Sequence, residues 1–81
     1  MNSAIILISG AGDASVADSA QQILESYSLQ ILDRQHIAMA GRVIIAFHIN
    51  FDPAHAKAIT QELSSEMAKH KLDVALDILS E

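Results

Sequence analysis

Apolar residues recur along this chain in two rhythms, one suited to strands and one to helices. Ala4-Ile5-Ile6-Leu7-Ile8 is a short aliphatic run that Ser9-Gly10-Ala11-Gly12 ends in a turn, so it reads as a buried strand. Val16, Ala20, Ile23, Leu24 and Tyr27 then fall at helical spacing. This predicts a helix ending near Ser28, with Asp13 or Ser15 as its cap and Asp18 placing negative charge in its first turn. Leu29 to Met39 and Arg42 to Ile49 are β-rich, and the two residues between them, Ala40-Gly41, suit a tight hairpin. Asp52 caps and Pro53 opens a second helix, in which Ile59, Leu63 and Met67 recur every four residues while Glu62, Glu66 and Lys69 lie on other faces. His70 and Lys71 sit at its negative end. Leu72 to Leu79 alternates, with Leu72, Val74, Leu76 and Ile78 on one face and Asp73, Ala75 and Asp77 on the other.

The order strand, helix, strand, strand, helix, strand is a split βαβ plan of class α+β, with one side of the sheet meeting helices and the other water. Ile5, Leu7, Ile44 and Ala46 make the two middle strands apolar on both faces. The face away from the helices is therefore expected to carry exposed apolar area that a partner would cover, so the chain should self-associate.

With 81 residues and 51% hydrophobic content, the chain reads as one domain over 1–81 with a single core, small enough to gain from burial against a partner. The tight ends, with Ser80-Glu81 directly after the last strand, suggest a regulatory segment of a longer enzyme, with a very compact stand-alone protein as the alternative. No cysteine is present, which removes disulfides and thiolate metal sites and is compatible with a reducing cytoplasm. Met1-Asn2-Ser3-Ala4 lacks a basic signal-peptide start, and no apolar run is long enough to span a bilayer, so a soluble cytoplasmic protein without a membrane partner is expected. A net charge of −5 with five basic residues argues against a nucleic-acid partner.

Candidate chemistries are few. His36, His48, His55 and His70 fall on four different elements without one-turn helical spacing, so no metal site is expected. The serines at 15, 19, 26, 28, 64 and 65 read as caps or solvated helix positions, which leaves no catalytic residue. The loop Gly10-Ala11-Gly12-Asp13-Ala14-Ser15 lacks a P-loop lysine and the third glycine of a dinucleotide fingerprint, and no cofactor is expected. The middle strands offer only Phe47 for base stacking.

The loop Gly10 to Val16 and the stretch Leu32-Asp33-Arg34-Gln35-His36 carry a resemblance. Here the chain resembles the ACT family of amino-acid-sensing domains, most closely the amino-terminal ACT segment of phosphoserine phosphatases. In a gapless register Ser9-Gly10 matches the Thr-Gly that ends the first strand, Val16 the valine of the loop, and Ile31-Leu32-Asp33 the opening of the second strand. Ile44-Ile45-Ala46-Phe47 falls on the third strand, and Lys71-Leu72-Asp73-Val74 on the pattern that begins the fourth. Gly12 stands at the family's acidic position, Ala14 at its proline and Ser15 at its glycine, with Asp13 displaced by one.

The resemblance implies a ferredoxin-like sandwich, two helices on one face of a four-stranded antiparallel sheet ordered 4-1-3-2. It also implies a free amino acid, L-serine or a relative, held between the loop of one copy and the second-strand opening of another. Gly10, Gly12, Asp13, Ser15 and Asp33 would line that site, with helix-start N–H groups facing the carboxylate and Asp33 the ammonium. Asp33 reads equally as a solvated carboxylate that tethers its strand, and Asp13 and Ser15 read first as N-caps. The implied function is amino-acid binding and oligomerisation in a phosphoserine phosphatase of serine biosynthesis. That hydrolase's Asp-x-Asp nucleophile motif does not occur here. A dimerisation module without ligand and a stand-alone ACT regulator are the alternatives.

Overall fold

A computed structural model describes residues 2–13 and 15–79; Ala14, at the family's proline position, and the terminal Met1, Ser80 and Glu81 lie outside the described residues. Four strands and two helices follow in the expected order: β1 (Asn2–Ala11), α1 (Val16–Glu25), β2 (Gln30–Met39), β3 (Arg42–Phe51), α2 (Ala56–Ala68) and β4 (Leu72–Ile78). The strands form one antiparallel sheet in the order β2-β3-β1-β4, the ferredoxin-like arrangement.

Strand alternation determines the core. Ala4, Ile6 and Ile8 of β1 and Val43, Ile45, Phe47, Ile49 and Phe51 of β3 project to one side and are buried. Val16, Ala17, Ala20 and Leu24 of α1 and Ile59, Leu63 and Met67 of α2 close over them. Removing this apolar surface from water is the main force holding the helices to the sheet. At one end of the helix pair, the Tyr27 hydroxyl donates to Glu62 Oε1 at 2.7 Å.

Several boundaries differ from expectation. The first helix stops at Glu25 rather than near Ser28, where the Ser26 hydroxyl donates to the Ile23 carbonyl at 2.6 Å and competes with continuation. Beyond Pro53 the chain makes one 3-10 turn, Pro53–His55, before α2 begins at Ala56; Asp52 accepts from Ala54 N–H as the expected cap. β3 runs on to Phe51 because Asn2 and Ser3 extend its partner β1. The hairpin turn is Ala40-Gly41 with φ of 54° and 75°, a left-handed pair that matches the twist of the flanking strands.

The opposite sheet face follows the other parity. Ile5, Leu7, Ile44 and Ala46 lie on it with Ile37 and Met39, and Leu7 and Ile44 are 43% and 49% exposed. It is an apolar centre open to water, bordered by Asp33 on β2 and by Asp73 and Asp77 on β4.

Candidate functional site

The loop between β1 and α1 is built from short-range contacts. Gly10 is buried, and a Cβ there would lie 2.7 Å from Leu72 Cδ2 and 2.9 Å from the Lys71 carbonyl oxygen, so its lack of a side chain is what lets β4 start alongside. Gly12 N–H donates to the Gly41 carbonyl at 3.0 Å and ties the loop to the hairpin turn. Ser15 occupies the helix N-cap position, yet its side chain caps nothing. Its hydroxyl and its N–H, the latter at 2.9 Å, both donate to Asp13 Oδ1. These bonds, the hydroxyl first, hold the exposed Asp13 carboxyl below its ordinary value. A carboxylate of the chain itself thus already places a negative charge beside the helix start.

Asp33 lies elsewhere. A register shift between Ile31 and Asp33 leaves Leu32 bulged, and Asp33 then pairs with His48 on the face away from the helices. Its exposed carboxylate accepts from Arg34 N–H at 2.8 Å and from Gln35 Nε2 at 3.2 Å. The next side chain, Arg34, turns the other way and tethers the strand to α1, reaching Asp18 Oδ1 at 3.0 Å and Gln21 Oε1. From Asp33 to Met39, at the hairpin end beside the loop, is six strand residues, roughly 20 Å. One chain therefore brings Gly10, Gly12, Asp13 and Ser15 together and leaves Asp33 at the far end of β2.

Residues absent from the expected ligand site lie at the hairpin end. Ile37, Met39, Arg42 and Ile44 project to the open face beside Ser9 and line a hollow of about 640 Å³. Among the described residues the Arg42 side chain makes no hydrogen bond or ion pair, and no acidic side chain lines this hollow. Counting parity outward from Ala40-Gly41 would have placed all four on one face. Among the described residues no three His, Cys, Asp or Glu cluster as metal ligands. No helix is long and apolar enough to cross a membrane.

No protein-family model matches the chain, and no curated protein matches it by sequence. Solved structures match throughout its length. A formyltetrahydrofolate deformylase from Burkholderia mallei superposes with a TM-score of 0.85 at 9% identity, over 96% of this chain and 28% of its own. A candidate glycine cleavage system transcriptional repressor gives 0.84 at 12% identity, over 99% of this chain and 47% of its own. An ACT domain protein from Streptococcus pneumoniae gives 0.73 at 16% identity, over 95% and 89%. The chain thus spans about a quarter of the deformylase and about half of the repressor. At these identities the likeness establishes the fold, the ferredoxin-like sandwich of ACT domains.

Proposed function

We propose that this chain is a regulatory ACT-type domain that pairs with a second copy through β2 and binds a free α-amino acid at the junction. The observation that carries this reading is the separation of the loop and Asp33 by the length of a free sheet edge. β2 is the outer strand, and its regular stretch Asp33–Met39 pairs in full with a second copy only in the antiparallel register centred on His36. That register sets the partner's Asp33 directly opposite Met39, beside the hairpin turn to which Gly12 is bonded. The two halves of the site then meet across the interface. The pairing also covers an edge whose Ile37 and Met39 are 57% and 72% exposed, which uncovered would invite uncontrolled strand addition.

The motif residues Ile31-Leu32-Asp33 and Lys71-Leu72-Asp73-Val74 support a finer reading: a cytoplasmic phosphoserine phosphatase as the longer parent, with L-serine as the first ligand to try. Hydrolysis of O-phospho-L-serine would then take place outside these 81 residues. Asp13 favours one alternative. Because its carboxylate is bonded to the N-cap Ser15 and sets a negative charge beside the helix start, a dimer that has given up ligand binding is the second reading.

Sedimentation and amide-shift titration test both. The wild-type chain should be a dimer at micromolar concentration, and His36→Lys, which sets like charges directly opposite, should yield a folded monomer. Titration with L-serine, glycine and other amino acids should move resonances of the loop and β2, and Asp33→Ala should weaken binding roughly ten- to a hundredfold. A wild-type monomer refutes the pairing. An intact dimer with no shifts at millimolar ligand selects the dimerisation reading.

A further inference from the structure

We infer that Arg42 holds the carboxylate of the ligand and that the hollow beside it selects an aliphatic or thioether side chain over a hydroxymethyl one. This rests on the paired reading above for the ammonium contact alone, since Arg42 and the hollow belong to one chain, and it sets leucine or methionine ahead of L-serine as the ligand. Three observations converge. The helix start disfavours a second carboxylate, because the Asp13 carboxylate, which takes both the N–H and the hydroxyl of the N-cap Ser15, already places a negative charge beside it. Arg42 is a guanidinium with no partner among the described residues, in a chain where Arg34 is committed to Asp18 and Lys69 to Glu66. Its planar fork suits a carboxylate in bidentate fashion.

The surface around it is otherwise apolar. Ile37, Met39 and Ile44 line the hollow with Arg42, and Ser9 is the one uncharged polar side chain among the lining residues. No acid lines the hollow itself; the nearest on this face, Asp73, pairs with Ser9 two strands from Ile44, so within the hollow a lone chain meets the carboxylate and hydrocarbon part of a ligand, and an ammonium only at its β4 rim. In the register centred on His36, the partner's Asp33 stands across Met39, two strands from Arg42 and about 10 Å away. A zwitterion bridging that gap has its carboxylate on Arg42, its ammonium on the partner's Asp33 and its side chain over Ile37, Met39 and Ile44. Leucine and methionine match that apolar lining. Serine and glycine leave it exposed to water.

Methyl and amide shifts of the wild-type dimer, titrated with L-leucine, L-methionine, L-serine and glycine, read the selectivity. An isobutyl group half covered by the hollow should bind roughly tenfold or more tightly than glycine. Arg42→Gln should weaken L-leucine at least tenfold while the dimer persists. The monomeric His36→Lys chain, titrated with 3-methylbutanoate, isolates the single-chain half, because that probe has no ammonium. It should shift Ile37, Met39 and Ile44, and Arg42→Gln on the same background should abolish the shift. Equal affinity for L-leucine and L-serine, or an Arg42→Gln variant that binds like wild type, overturns the inference even if the dimer stands. Should wild type prove monomeric, the pairing falls, and the 3-methylbutanoate shifts alone decide whether Arg42 and the hollow are a site.

Discussion

Replacing Gly10 with alanine distinguishes a packing glycine from a ligand glycine. The new Cβ would lie 2.9 Å from the Lys71 carbonyl oxygen and 2.7 Å from Leu72 Cδ2, and neither can retreat freely. Lys71 closes the end of α2, its N–H bonded to the Ala68 carbonyl at 3.0 Å, and Leu72 is buried and paired with Gly10 itself. Overpacking of this kind costs about 1–3 kcal/mol. The positive φ of 157° adds a backbone term on the order of 1 kcal/mol for a residue with a Cβ. Together about 2–4 kcal/mol is lost from a domain whose whole stability is on the order of 4–12 kcal/mol. Thermal unfolding followed by far-UV circular dichroism should show Tm lowered by roughly 10–25 °C. Gly12→Ala is the control: its φ is also positive, at 146°, but nothing lies within 4 Å of a Cβ there, so only the backbone term of about 1 kcal/mol applies. Equal losses of Tm for the two variants would refute the close-approach argument.

Three further outcomes are expected. Ala40→Asn should raise Tm by a few degrees, because asparagine tolerates the left-handed φ of 54° better than alanine and Asn-Gly is a preferred hairpin pair; a lower Tm would contradict the turn geometry. Leu63→Ala should cost about 2–5 kcal/mol in urea unfolding, since Leu63 is fully buried between α2 and the sheet, and a loss below about 1 kcal/mol would place it outside the core. The Asp13 carboxyl, held down by the Ser15 hydroxyl and N–H, should titrate below 3.8 by carbon-13 NMR. Its folded value is depressed, so the loop bonds are fully present above 3.8 and are lost as pH falls through the lower folded value. Ser15→Ala should return the titration towards 3.8, and an unchanged midpoint would refute the bond.

Much of the architecture could be read from the chain because burial follows simple periodicities. The alternation of β4 and the four-residue spacing of Ile59, Leu63 and Met67 each report one buried face, and both faces meet in the observed core, whereas β1 and β3 are apolar on both sides and only the packing of the helices decides which side is buried. Ala40-Gly41 could be read for the same local reason, since two residues of positive φ are what the twist of a hairpin demands. The strand order came from resemblance, and the contacts between strands bear it out. Local signals failed where two local bonds compete, as at Ser26, which ends α1 early, and at Asp13 and Ser15, where the expected cap bonds to its neighbour instead of the helix. Only tertiary structure could decide what lies far apart in sequence: that Gly10 faces Lys71 and Leu72, that Arg34 is committed to α1 while Asp33 faces the open side, and that Arg42 gathers Ile37, Met39 and Ile44 around it. Periodicity tells which side of an element is buried. Which residues of other elements share that side depends on strand register, and a one-residue bulge such as that at Leu32 resets it for every residue that follows.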